Sequence, residues 1–262
     1  MRRYSRTLGR LWSASLFAEM EYRTNFVVAA LNGIGTLAGT IFTLSLFYRD
    51  GFLIGGWVWT QALFIIGCFT FLDGFQAAFL GPNFQRFSEY IREGTLDFVL
   101  LKPIDSQFFV SFRNLSLWGI PNLVLGPLLI LYAGFRNDPP VPLVDYLMGG
   151  LALGLGAVML YAMGFFLVTF TIWFVKLWNI TIALQSIIQA GRYPISSYPP
   201  AYRFVLTYLV PVLFLTTVPA EAFSGRSEAV WILGAAGLAT GLLLACRLFY
   251  LFALRSYTSA SS

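Results

Sequence analysis

The sequence contains no histidine and only two cysteines and two lysines, and just 11% of its 262 residues are charged. Without histidine there is no His-based triad and no imidazole metal site. Cys68 and Cys246 both sit inside apolar runs, where a thiol serves as a small buried hydrophobe rather than a redox or metal group. Lys102 and Lys176 follow no glycine-rich loop. The G-x-x-x-x-G-K-[ST] phosphate cradle is therefore missing, and the chain is not expected to bind ATP in that manner by itself. No clustered carboxylates and no nucleophile–base pair appear, so an intramembrane enzyme is poorly supported. The shortage of charge also excludes a water-soluble globule, in which about a quarter of residues are charged.

What is present is apolar. Hydrophobic residues make up 58% of the chain and fall in runs of about 20, the length that crosses a bilayer as a helix. The expected class is all-α integral membrane protein, a single transmembrane domain over 1–262. Six spans are read: Phe26–Tyr48, Trp57–Leu80, Phe108–Ala133, Val144–Ile172, Phe204–Ala220 and Ala229–Phe252. The stretch Leu177–Ala190 carries Asn179, Gln185, Ser186 and Gln189 and reads as an interfacial or cytosolic helix; a seventh span there is the competing reading.

Ahead of the first span, residues 1–25 place Leu8, Leu11, Trp12, Ser15, Leu16 and Met20 at helical spacing beside Arg2, Arg3, Arg6, Arg10 and Arg23. This describes an amphipathic helix in the headgroup plane. A signal peptide is disfavoured because the first long apolar run starts late and exceeds an h-region. With both termini inside, fourteen Lys and Arg fall on the cytoplasmic side against three outside, a strong positive-inside bias.

The longest segment between spans, Gly81–Gln107, reads as two short cytoplasmic helices. Asn83 is a cap for the first, Gly94 its end, and Thr95 a cap for the second. Leu96, Phe98, Val99, Leu100 and Leu101 run apolar up to Pro103 beside Arg86, Glu89, Arg92, Glu93 and Asp97. A connector lying on the membrane and a docking surface for a cytoplasmic protein both fit. A second element, Gln189–Arg203, holds three prolines with Arg192, Tyr193, Tyr198 and Tyr202. It fits a headgroup-level anchor or a second contact with the same partner.

At membrane depth Asp73 is costly and hence a functional candidate. The competing reading puts it at the interface beside an arginine. Gln76 lies one turn away. Asn32 and Asn122 read as interhelical hydrogen-bonders, and Gly35/Gly39, Gly150/Gly154 and Gly237/Gly241 as close-approach pairs. Pro121 and Pro211 are expected to kink the third and fifth spans. Glu221 closes the fifth span at the outer face, in an exit or among headgroups.

REGTLDFVLLKP (Arg92–Pro103), GRYPISSYP (Gly191–Pro199), VPAEA (Val218–Ala222) and EYRTNF (Glu21–Phe26) resemble the membrane subunits of type-2 ATP-binding-cassette (ABC) transporters, in particular a bacterial six-span permease group of about this length. The resemblance implies a permease of the bacterial inner membrane that pairs with a second copy or a sister permease. It implies two cytoplasmic ATPase subunits carrying ATP and Mg, with no cofactor or metal in this chain and no nucleic-acid partner. It places ATPase coupling at Arg92, Glu93, Gly94, Leu96 and Asp97, with a second contact at Arg192 and Tyr193. Translocation-path candidates are Asp73, Gln76, Pro211 and Glu221. The short loop Glu221–Glu228 leaves little room for the paired re-entrant helices of some members. The direction implied is export, with import ranked below it; the aromatic-rich spans, 18% Phe, Trp and Tyr overall, suit an amphipathic or lipid-like cargo, and lipid contact is the competing explanation of the same residues. An ATP-independent secondary transporter or channel, relying on Asp73, is the alternative.

Overall fold

The computed structural model describes residues 9, 11–13, 15, 17, 23–49, 53–174 and 180–257. Every regular element among them is helical apart from one isolated bridge, Ile54 to Trp57. We number the main helices α1 (Arg23–Tyr48), α2 (Trp59–Arg92), α3 (Asp97–Leu100), α4 (Ser106–Phe112), α5 (Leu117–Arg136), α6 (Leu143–Ile172), α7 (Ile180–Ala190), α8 (Pro200–Leu209), α9 (Val212–Phe223) and α10 (Ala229–Arg255). Five of these, α1, α2, α5, α6 and α10, are long and apolar enough to cross a membrane.

The second span does not stop at Leu80. It continues through a π-helical turn, Gln76–Leu80, into Gly81–Arg92, giving 34 residues or about 51 Å at 1.5 Å per residue. Asn83 is therefore no cap. It is buried inside this helix, donating Nδ2 to the carbonyls of Phe79 and Asn114 at 2.7 Å and accepting the Asn114 N–H at 2.9 Å. The third span starts later than expected. Phe108–Phe112 belongs to the separate α4, and Pro121 sits in the first turn of the α-helical part of α5, Ile120–Arg136, rather than kinking it, a position where its missing N–H costs nothing.

The bundle is organised on α2. Gly67 and Gly74 of α2 face Gly126 and Gly119 of α5, and a Cβ on any of them would meet the opposite backbone. Gly35, Gly39, Gly150, Gly154, Gly237 and Gly241, the pairs picked out from sequence, have nothing within 4 Å of where a Cβ would stand. Cys68 and Cys246 are buried free thiols, as expected.

The region after α6 departs most from the six-span reading. α7 packs one side into the bundle and leaves Ile182, Ala183, Ser186 and Gln189 exposed. Thr181 reaches Gly81, Leu184 packs on Gly164, and Leu184 and Ile188 are fully buried. The chain then climbs to Ser196, whose hydroxyl donates to the Gly55 carbonyl at 2.8 Å. α7 thus carries the chain from the Arg92 half of α2 back toward its Trp59 end. α8 and α9 are bent by 73° at Pro211. Arg203 near the start of α8 bonds the Ser196 carbonyl, Arg226 just past α9 lies over the Trp57 ring, and the middle of the pair meets Gly156 at the centre of α6. The pair enters and leaves at one end. It is the re-entrant hairpin that the short Glu221–Glu228 loop was expected to disfavour, and not a fifth span. Its short helices and Pro211 halt it halfway.

Of the N-terminal segment, Leu11, Trp12 and the other described residues are helical. Trp12 donates Nε1 to the Phe112 carbonyl at 2.7 Å and meets the Phe79 ring edge-on. Arg2, Arg3, Arg6 and Arg10, with Lys176, lie outside the described residues.

Candidate functional site

At the Arg92 end, α2 terminates at Gly94, whose φ of +67° is a left-handed value that glycine adopts without strain. The chain then turns directly into α3. The Thr95 side chain makes no cap for α3, which begins from Leu96. Leu96 and Val99 point inward and are buried, while Phe98, Leu100 and Leu101 point outward, with Phe98 70% and Leu101 80% exposed. Leu96 was expected at a protein contact; it is instead the anchor that holds α3 on the bundle. Arg92 and Glu93 are exposed and Asp97 is half-buried. The exposed apolar face is thus Phe98, Leu100 and Leu101, ringed by Arg92, Glu93 and Lys102.

The α3 platform is tied to distant helices through α4. Asp105 caps α4, accepting the Phe108 N–H at 2.9 Å, and pairs with Arg247 of α10 at 2.7 Å. Burial raises its pKa, but the Phe108 N–H and the Arg247 guanidinium outweigh that and hold its carboxyl below the usual range. Gln107 bonds Arg247 and Tyr161, Ser111 meets the Tyr161 hydroxyl at 2.9 Å, and Tyr250 donates to Ser106. α6 and α10 are therefore both bolted to the segment that follows α3. Arg113, behind α4, bonds the Tyr90 hydroxyl and lies over Phe109.

At membrane depth a polar cavity of about 210 Å³ opens between α1, α2, α5 and α7. Asp73 stands in its wall. No described arginine pairs with it, contrary to the interface reading. Its Oδ1 accepts from Gln185 Nε2 at 2.7 Å and its Oδ2 from Asn122 Nδ2 at 2.8 Å. Asn32, Thr36, Thr40, Gln189 and Arg192 complete the polar lining, with Phe69 and Trp118. Arg192 bonds the Thr40 hydroxyl and lies over the Phe69 ring, 5.3 Å from its centroid. It is thus not beside Arg92–Asp97. It belongs to the far half of α2, and Tyr193 stands next to it, half-exposed. The two expected coupling sets are not brought together.

Of the other path candidates, Gln76 is buried in the π turn and Pro211 is at the hairpin bend. Glu221 lines a second cavity of about 530 Å³ with Trp57, Arg203, Arg226 and Trp231. The residues missed by sequence reasoning are Gln185 and Gln189 and the threonines of α1. Their signal was present: Asn32, Thr36 and Thr40, and Gln185 and Gln189, repeat every four residues, which puts each set on one helix face. Polar atoms repeated on one face of an apolar helix mark a side that does not face lipid.

No group of three or more His, Cys, Asp or Glu among the described residues is placed to hold a metal. No curated protein matches the chain. Residues 34–261, however, match the sequence profile of the family described as ABC-2 family transporter protein. With most of its length inside that match, and with the helical membrane architecture above, this chain belongs to the ABC-2 family of membrane transporter proteins.

Proposed function

We propose that the chain is the permease subunit of an ATP-driven exporter of an amphipathic or lipid-like molecule, working in the bacterial inner membrane with both termini cytoplasmic. Two cytoplasmic ATPase subunits, which carry ATP and Mg, dock on α3, and a second permease copy or a sister permease completes the pathway. The observation that carries this is the α3 surface. Phe98, Leu100 and Leu101 are held outward on a four-residue helix whose other side, Leu96 and Val99, is locked into the bundle. An apolar face presented so rigidly is a contact waiting for a protein.

Docking there has a route to the membrane. ATP-driven closure of the ATPases displaces α3, and the Asp105, Gln107 and Ser111 bonds pass the displacement to α6 and α10. Packed helices respond to such a push by switching between discrete arrangements. The Asp73 cavity, lined by α1, α2, α5 and α7, is on this reading part of the path.

The test is isolation of the chain from its native membrane in mild detergent. An ATPase subunit should co-elute, and Phe98→Asp with Leu101→Asp should abolish both co-elution and ATP-driven transport. Transport that persists in liposomes under an ion gradient with no ATPase present would favour the secondary-transporter alternative, as would loss of that transport in Asp73→Asn.

A further inference from the structure

The Asp73 cavity holds two opposite charges that do not pair. Among the described residues the ion pairs are Arg86–Glu89 and Arg247–Asp105, so Arg192 has no described carboxylate within 4.0 Å. Asp73 is held by two amides and Arg192 by Thr40 and the Phe69 ring. Arg192 lines the cavity with no described carboxylate to neutralise it, and a charge left in that state away from water is costly. Asp73, with one amide hydrogen on each oxygen, still has acceptor capacity.

We infer that this cavity binds a zwitterionic headgroup, with its anionic oxygens on Arg192 and its ammonium at Asp73. The inference rests on reading the cavity as part of the transport path. A lone anion at Arg192 would also meet the Asp73 carboxylate, since Phe69 under Arg192 is one helical turn from Asp73. A lone cation at Asp73 would meet Arg192. An apolar group would leave the guanidinium and the amide lining unmatched. A group carrying both charges a few bonds apart satisfies each, and the planar guanidinium suits a phosphoryl or carboxylate oxygen pair. At about 210 Å³ the cavity holds a headgroup and not a whole amphiphile. Asn32 and Thr36 are exposed at its mouth beside the exposed apolar Leu31 and Ile34 of α1, which leaves an apolar tail to lie outside.

Binding to the purified full chain in detergent tests this, with radiolabelled O-phosphoethanolamine, its lysophospholipid form, β-alanine, inorganic phosphate and ethanolamine as probes. At least one of the first three should bind, and phosphate and ethanolamine should bind at least tenfold more weakly. The first and third arms separate phosphoryl from carboxylate, and the second separates a lipid from a free headgroup. Asp73→Asn and Arg192→Gln should each weaken binding at least tenfold. Arg192→Lys keeps the charge without the planar fork and reads the site if Arg192→Gln melts early. Equal binding of phosphate alone, binding unchanged in both charge variants, or no binding by any zwitterion overturns the assignment. ATP-driven transport that needs both residues while no zwitterion binds overturns the headgroup and leaves the path. Zwitterion binding without any effect of these residues on transport overturns the path reading instead.

Discussion

Replacement of Gly74 by alanine places a methyl group where α2 and α5 touch through backbone. Its Cβ would stand 2.8 Å from both the Asn122 carbonyl carbon and the Gly119 carbonyl oxygen. Neither atom can rotate away, so the helices must part, and over-packing of this kind costs about 1–3 kcal/mol. Alanine also favours the helix over glycine by about 1 kcal/mol. Gly237→Ala isolates that second effect, because nothing lies within 4 Å of its Cβ position. The propensity gain is common to both variants, so the difference between them reports the steric contact, about 1–3 kcal/mol. At about 2–4 °C per kcal/mol for a chain of this size, Gly74→Ala should melt several degrees below Gly237→Ala. Both cysteines are buried, so a thiol-reactive dye that fluoresces on labelling follows unfolding in detergent directly. Equal melting of the two variants, or a higher midpoint for Gly74→Ala, would refute the packing argument.

Three further outcomes are expected. Asn83→Ala strands the backbone groups of Asn114 that Asn83 satisfies, and at about 1–3 kcal/mol per unsatisfied buried group it should lower the same melting midpoint more than any exposed substitution does. Phe98→Ala with Leu101→Ala should leave that midpoint unchanged, because both side chains face outward, yet weaken ATPase docking by about 2–4 kcal/mol, from about 1.5–3 kcal/mol per fully buried large side chain less what Ala retains; quantitative pull-down reads it. The Asp105 carboxyl, held low by the Phe108 N–H and Arg247, adds stability that is complete above the ordinary carboxylate range and is lost as pH falls through its depressed value. Arg247→Gln removes one of those causes and brings the folded value back toward the ordinary one, so the variant should lose less stability than the parent chain as pH falls through that interval.

Most of the architecture was legible because a span advertises itself by length. Phe26–Tyr48, Leu143–Ile172 and Ala229–Arg255 are uninterrupted apolar helices in the structure, close to where hydropathy puts them. Boundaries failed where tertiary contacts, not composition, set them. Asn83 has every feature of a cap, yet the backbone of Asn114 satisfies it and α2 runs on. The glycine pairs chosen from sequence were spaced by four, whereas the interface in use is spaced by seven, Gly67 to Gly74 and Gly119 to Gly126. Leu96 and Phe98 are both apolar and two residues apart; only the turn after Gly94 decides that one is buried and the other presented.

The hairpin shows why charge counting did not catch the error in the fifth span. Placing Arg203 with Arg226 at the Trp57 end, and Arg192 within the membrane, changes the ratio of fourteen to three into twelve to four. That is still a strong bias, and it keeps the N-terminal and C-terminal segments on the same side. Replacing the expected Phe204–Ala220 crossing by the run of chain from Thr181 at Gly81 to Ser196 at Gly55 preserves parity, so the positive-inside rule is satisfied by both arrangements. Only contacts distinguish them. Ser196 on Gly55 and Arg226 over Trp57 require the polar stretch 191–203 at that end. The same stretch then explains the cavity: a chain that must rise past Phe69 on prolines and Gly191 carries Arg192 into the membrane interior, opposite Asp73, where a headgroup-level anchor has no reason to be.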